Sequence, residues 1–209
     1  MTATQTSPLT QLAALGAATV YEANGQRDAL DPALKPLDPR TKIAGTAVTV
    51  ALEPADNWFI HVALLQAGPG DILVVDAKGY TDAGPWGDVL TLAAQQRGLA
   101  GLVIDGAVRD SQQIIESGFA VFTRGVCIRK TSKIQPGRVN VDVTVGGVVI
   151  KPGDILVGDA DGLVRIQPGD VDTALASAAR RQDKEDDMRA RILAGESTLD
   201  LLRLSYSDR

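Results

Sequence analysis

Between Asp71 and Val126 the chain alternates short apolar runs with amphipathic segments, and this alternation constrains the fold more than any other feature. "DILVVDAKG", "GLVIDGAVRD" and "AVFTRGV" read as strands, and "WGDVLTLAAQQRGLAG" and "DSQQIIESGF" as the helices between them. Upstream, "SPLTQLAALGAATVYEANG" predicts a helix from a cap at Ser7 and Pro8 to Gly25. "IAGTAVTVAL" predicts a strand, and "ADNWFIHVALLQAG" a helix ending at Gly68. From Val139 to Ile166 the pattern is strand and turn, and Asp170 to Ala194 reads as one amphipathic helix stopped by Gly195. Strands interleaved with helices, followed by a strand-rich part, predict a mixed α/β sandwich. No Pro/Ser-rich linker divides the 209 residues, so one domain is expected.

Two segments repeat each other: "PGDILVVDAKG" from Pro69 and "PGDILVGDADG" from Pro152. Either the chain uses one turn-plus-strand solution twice, or two sheet layers are built from similar units.

Composition removes several function classes. A formal charge of −5 with no Lys/Arg block argues against nucleic-acid binding. No apolar run approaches the roughly 18 residues of a membrane span, and "MTATQTSPLTQ" has neither the basic nor the apolar region of a signal peptide. The single cysteine, Cys127, has no internal disulfide partner and suits a reducing cytoplasm, where it reads as a small core residue. His61 is the only histidine, which excludes a multi-histidine metal site. It also leaves no nucleophile triad, because His61 sits in "NWFIHVALL" and reads as a packing residue. No phosphate-binding glycine motif is present.

What remains is carboxylates, arginines and backbone. A hard cation such as Mg²⁺ or Mn²⁺ takes one or two protein carboxylates and fills its shell with water and substrate oxygens. Asp110 is a candidate for that carboxylate. Arg109, with its permanent charge and planar fork, suits a carbonyl or carboxylate. The helix opening at "GPWGDVL" offers backbone N–H groups from Gly87 to Leu90 as an anion site. Each part alone also has an ordinary structural explanation: an Arg-Asp pair on a surface turn, and a glycine ahead of a helix. Lys78, ending "ILVVDAK", is either a solvated strand-end residue or a Schiff-base lysine.

"WGDVLTLAAQQRGLAGLVIDGAVRD", with "PGDILVVDA" before it and "PGDILVGDADGLVRI" and "RRQDKE" after it, resembles the RraA-like family. That family includes the class II 4-hydroxy-4-methyl-2-oxoglutarate/4-carboxy-4-hydroxy-2-oxoadipate aldolases. The resemblance implies an α-β-β-α sandwich of the swivelling β/β/α type over residues 1–209, assembled as trimers or hexamers with shared active sites. By the same resemblance Asp110 binds Mg²⁺ or Mn²⁺, and Arg109 holds and polarises the pyruvyl ketone. Gly87 and the amides of Val89 and Leu90 receive the substrate carboxylate, and Asp88 orients or deprotonates a water. Glu185, on a C-terminal helix (170–195) expected between subunits, reaches a neighbour's metal through water. The implied activity is release of pyruvate from 4-hydroxy-2-oxo acids, with decarboxylation of oxaloacetate through the same pyruvate enolate. The family's other role, binding and inhibiting a ribonuclease E-like enzyme, is the alternative. One position departs: the acid expected three residues after Asp110 is here Gln113.

Overall fold

The computed structural model describes residues 7–205. The first expected helix is two helices, α1 (Pro8–Leu15) and α2 (Ala17–Ala23). They break at Gly16, where the backbone turns to φ +84° and the Asp159 carboxylate accepts the Ala17 N–H at 2.8 Å. A short β1 (Lys35–Pro36) and the long β2 (Ile43–Ala51) follow, then α3 (Trp58–Leu64) and β3 (Asp71–Tyr80). The expected alternation comes next: α4 (Asp88–Gln96), β4 (Gly101–Val108), α5 (Ser111–Ser117) and β5 (Ala120–Val126). β6 (Arg138–Val139), β7 (Val143–Val145), β8 (Val148–Ile150), β9 (Ile155–Gly158) and β10 (Leu163–Ile166) make the strand-rich part. The chain closes with α6 (Val171–Leu193), stopped at Gly195 (φ +98°), and a short α7 (Thr198–Leu201) that the sequence did not announce.

The main sheet runs β1-β5-β4-β3-β2-β9-β10, with β6 pairing the far end of β2. β2 to β5 are mutually parallel, whereas β9 runs antiparallel to β2 and β10 antiparallel to β9. Leu73, Val75, Leu102 and Ile104 point to one face and pack on α3, α4 and α5 through Ile60, Leu90 and Ile114. Ile72, Val74, Val103 and Phe122 point to the other, where the β7–β8 pair closes a second core with Val143, Val145 and Ile150. Burial on both faces is why these strands read as continuous apolar runs.

The sheet curls. A Cβ at Gly158 on β9 would lie 2.8 Å from the Phe122 ring on β5, although three strands separate them in the sheet. At the rims, Lys35 of β1 donates to the Asp161 carbonyl in the β9–β10 turn at 2.7 Å. The two halves of one curled sheet thus face each other across the second core. α3, α4 and α5 cover the outside of one half, and α1, α2 and α6 cover β9 and β10 on the other. This is the expected α-β-β-α arrangement, made as a half-barrel in a single domain.

The repeated segments lie on either side of β2 in that sheet: Thr46 is paired with Asp71 on β3 and with Ile155 on β9. Their turns are the same device. Gly70 and Gly153 take φ +83° and +89°. The carboxylates of Asp71 and Asp154 each accept the N–H three residues back, both at 2.9 Å. Pro then Gly is what a turn with positive φ at its third residue demands.

α6 packs on its own chain only through its first half, where Ala174 and Ala178 are buried. Further along, Met188 is half-buried, and Ile192, Leu193, Leu199, Leu202 and Leu204 are exposed. Among the described residues no helix is long and apolar enough to cross a membrane.

Candidate active site

β4 ends at Val108, and Arg109 and Asp110 follow. Successive side chains of an extended strand point to opposite sides, so two adjacent charges could not meet if the strand continued. Asp110 instead adopts left-handed backbone, φ +54° and ψ +38°, at the start of α5. Its carboxylate swings back and Oδ2 lies 3.4 Å from Arg109 Nε. Asp tolerates this conformation better than most residues, and strain of this kind concentrates at functional sites.

The segment Gly84–Gly87 carries the pair. Trp86 is fully buried, stacks on Phe119 with ring centroids 6.1 Å apart, and donates its indole N–H to Thr91 Oγ1 at 2.7 Å. Its carbonyl accepts the Arg109 N–H at 2.8 Å. A Cβ at Gly87 would collide with Asp110 Oδ2, so glycine lets that carboxylate sit under the first turn of α4, where it accepts the Asp88 N–H at 3.3 Å.

A cavity of about 340 Å³ opens above this floor. Gly87, Asp88, Val89, Leu90 and Arg109, the substrate-binding candidates of the sequence, are among its lining. Asp110 is not part of the lining and lies in contact with two residues that are, Arg109 and Asp88. Asn57, His61, Lys130, Thr131 and Lys133 also line it. None of these was singled out as a site residue. Asn57, ahead of α3, has the sequence signature of a helix cap, and "RKTSK" is the only local sign of the cationic wall.

Two expectations need correction, those for His61 and Cys127, and two other candidates, Val89 and Glu185, are engaged within this chain. The Val89 N–H donates to the Asp88 side chain at 2.8 Å, at a helix start where Gly87 has no side chain to cap it. His61 is not a packing residue. α3 buries Ile60, Ala63 and Leu64, which leaves His61 on the cavity face. Burial, and then the Lys133 charge, depress its pKa and favour the neutral imidazole. Cys127 is half-buried rather than core, since β5 has ended at Val126. Glu185, expected at a neighbouring subunit's site, lies outside the cavity lining of its own chain. It forms ion pairs along α6 with Arg181 (2.8 Å) and Arg189 (3.0 Å), both at the i,i+4 spacing that favours such pairs. Of the remaining candidates, Lys78 pairs with Glu53 at 2.7 Å outside the cavity lining, and Gln113 is exposed on α5.

Among the described residues no cluster of three or more His, Cys, Asp or Glu side chains is arranged to hold a metal ion. The donor set fits one kind of cation, a hard ion that takes a single carboxylate, here Asp110, and keeps water and ligand oxygens for the rest of its shell. That carboxylate fills the space a Cβ on Gly87 would take, next to the cavity lining.

The cationic wall is held in place by Asp56. Its carboxylate accepts Ser132 Oγ (2.6 Å) and the N–H groups of Trp58 (2.8 Å), Ile134 (2.8 Å) and Gln135 (3.1 Å). Burial pushes this carboxyl upward, but the four hydrogen bonds outweigh it and bring the pKa from 3.8 to about 2. A depressed carboxylate contributes stability above its unfolded pKa, and that contribution is lost as pH falls through the folded value. Asp56→Asn is therefore expected to cost about 2 kcal/mol near neutrality. The gap from wild type, read by thermal unfolding, should close as pH falls from about 4 to 2. A gap unchanged over that range would show that Asp56 does not anchor the wall as an anion.

Comparison with known proteins agrees with this geometry. The family described as "RraA-like: Aldolase/RraA" matches residues 17–165. A relative from Halalkalibacterium halodurans, named as a candidate 4-hydroxy-4-methyl-2-oxoglutarate aldolase, is 34% identical over 165 residues, covering 79% of this chain and 78% of the relative. An uncharacterised protein from Pseudomonas syringae pv. tomato superposes with a TM-score of 0.80 at 28% identity, covering 94% of this chain and 96% of its own. The RNA-processing inhibitor RraA from Thermus thermophilis superposes with a TM-score of 0.67 at 29% identity, covering 72% of this chain and 91% of its own. The curled sheet, its helical cover and the matched sequence together place this chain in the RraA-like (Aldolase/RraA) family.

Proposed function

We propose that this chain cleaves 4-hydroxy-2-oxo acids of the 4-hydroxy-4-methyl-2-oxoglutarate type to release pyruvate, and decarboxylates oxaloacetate at the same site. One observation carries the reading: Arg109, the start of α4 and a wall bearing Lys130 and Lys133 line a single cavity above Asp110. Three cations around one cavity suit an acid with more than one carboxylate. The C1 carboxylate docks at the first turn of α4, where it takes the Val89 N–H in place of the Asp88 side chain. Arg109 then faces the ketone oxygen. Breaking the C3–C4 bond or losing CO₂ leaves the same pyruvate enolate, and fixed positive charge lowers the barrier most where that charge develops. Asp110 would hold Mg²⁺ or Mn²⁺, which would supply Lewis-acid stabilisation of the enolate's charge. Aldol cleavage also requires removal of the 4-hydroxyl proton, which decarboxylation does not. Asp88, released from Val89, receives that proton through a water.

The site is completed by a neighbouring subunit of a cytoplasmic homotrimer or hexamer, with Glu185 leaving its pairs on α6 to orient water at the neighbour's Asp110. The exposed Ile192, Leu193 and Leu199 around the free half of α6 favour such packing. Arg109→Ala and Glu185→Ala, each inactive alone, are expected to regain activity when refolded together, because some mixed sites draw both intact residues from different chains. A mixture that stays inactive despite measured subunit exchange contradicts the shared site.

The description of the Thermus relative as an RNA-processing inhibitor favours a second reading, a non-catalytic regulator of a ribonuclease E-like enzyme. Pyruvate release from either acid, without inhibition of the ribonuclease, supports the enzyme. Inhibition without pyruvate release supports the regulator.

A further inference from the structure

His61 is the only histidine of the chain, and the structure sets it on the cavity lining rather than in the core. α3 buries Ile60, Ala63 and Leu64 against the sheet, which leaves His61 exposed. Among the described residues neither ring nitrogen has a hydrogen-bond partner. The imidazole is open to a molecule that enters the cavity.

Its chemistry differs from that of the other groups on the lining. Guanidinium and ammonium groups hold their protons far above neutrality, and carboxylates carry none there. An imidazole both takes and gives a proton near neutral pH, and on this lining His61 alone supplies one. Burial, and then the Lys133 charge, favour the neutral ring. A dianion in the cavity adds negative charge beside the ring and favours the imidazolium instead. A substrate with two carboxylates thus draws onto His61 the proton that its product needs.

Aldol cleavage and decarboxylation, as proposed above, share one step that Arg109, Asp110 and Asp88 do not complete. Each leaves an enolate, a C2 oxyanion with a double bond from C2 to C3, and pyruvate forms only when C3 gains a proton. We propose that His61 is the catalytic acid that supplies it. The inference rests on the aldolase reading given above. The C2–C3 π pair takes the proton from the imidazolium and becomes the new C3–H bond, while the oxyanion closes to the ketone. The neutral imidazole left behind regains a proton from solvent. In reverse, neutral His61 removes a proton from the pyruvate methyl group, with no carbon–carbon bond broken. Asp88 and His61 then divide the work: one receives the 4-hydroxyl proton, and the other delivers a proton to carbon.

The test separates proton transfer at C3 from carbon–carbon cleavage, with Mg²⁺ present throughout. Exchange of the pyruvate methyl protons in D₂O is followed by NMR. With oxaloacetate, CO₂ release is compared with the appearance of pyruvate, read through coupled lactate dehydrogenase. His61→Gln keeps hydrogen-bonding groups but cannot pass a proton, so exchange is expected to fall by about 10²-fold or more, the scale of one general acid–base group. CO₂ release should fall much less than exchange. Pyruvate should then appear after a lag, because enolpyruvate leaves the site and ketonises in solution. His61→Ala should regain exchange in step with added imidazole, which a cavity of about 340 Å³ can admit. Exchange and CO₂ release lost in parallel, without a lag and without rescue, would mean that His61 only shapes the cavity and would overturn the proposal alone. Unchanged exchange in His61→Gln would overturn it as well. Wild-type protein that releases pyruvate from neither acid would instead overturn the aldolase reading, and this inference with it.

Discussion

Arg109→Lys is expected to lower kcat for pyruvate release by at least about 10²-fold, the scale of removing one preorganised donor from a developing oxyanion. The substitution keeps the charge but loses the planar fork. Arg109 reaches the cavity from a backbone fixed by its N–H bond to the Trp86 carbonyl, with Nε 3.4 Å from Asp110 Oδ2. A guanidinium can engage that carboxylate through one nitrogen and present the others to a ketone oxygen. A lysine ammonium is a compact point charge and cannot span both. Because the lost interaction strengthens as the enolate forms, kcat should fall more than KM rises. Both aldol cleavage and decarboxylation should fall, since both pass through the enolate. A near-normal rate in Arg109→Lys would reduce the residue to a surface cation.

Asp110→Asn is expected to lower turnover by at least about 10³-fold, because Lewis-acid stabilisation of the enolate is worth several kcal/mol and each 1.36 kcal/mol is tenfold in rate. Otherwise it removes the charge from a half-exposed 3.4 Å contact with Arg109, a small loss. Asn tolerates the left-handed backbone at φ +54° as Asp does, and its amide oxygen can still accept the Asp88 N–H. Thermal stability should therefore stay within about 1 kcal/mol of wild type, while Mg²⁺ affinity measured by calorimetry drops. Loss of turnover together with loss of the fold would point to a structural role for the carboxylate. Unaltered turnover would remove Asp110 from the chemistry.

Much of this architecture is legible in the sequence because its signals are local. The apolar runs of β3, β4 and β5, and the glycine stops around them, state their own boundaries. The doubled Pro-Gly-Asp turn is legible for the same reason. What the repeat could not state is that its two copies flank β2, since strand pairing is decided by contacts far apart in the chain. The candidate site divides along the same line. Gly87 to Leu90 and Arg109 to Asp110 lie in two short stretches joined by one helix and one strand, and their spacing carries the family resemblance. Asn57, His61, Lys130 and Lys133 come from beyond those stretches and meet them only through the fold. Asn57 looks like a helix cap until the Pro85 carbonyl is seen to hold its amide. His61 looks like core because its neighbours are apolar, and only the face that α3 buries shows otherwise. The hydrogen bond from the Val89 N–H to the Asp88 carboxylate depends on a side-chain rotamer, which no spacing encodes.

The account turns on enolate chemistry supported by a divalent cation above Asp110, and one titration tests it most directly. Protein stripped with EDTA is assayed for pyruvate from 4-hydroxy-4-methyl-2-oxoglutarate and from oxaloacetate while Mg²⁺ is added back, beside the same titration of Asp110→Asn. Both activities of the wild type should vanish on stripping and return together along one saturation curve, and Asp110→Asn should recover neither over the same range. Full pyruvate release in excess EDTA, or equal recovery by Asp110→Asn, would contradict the account.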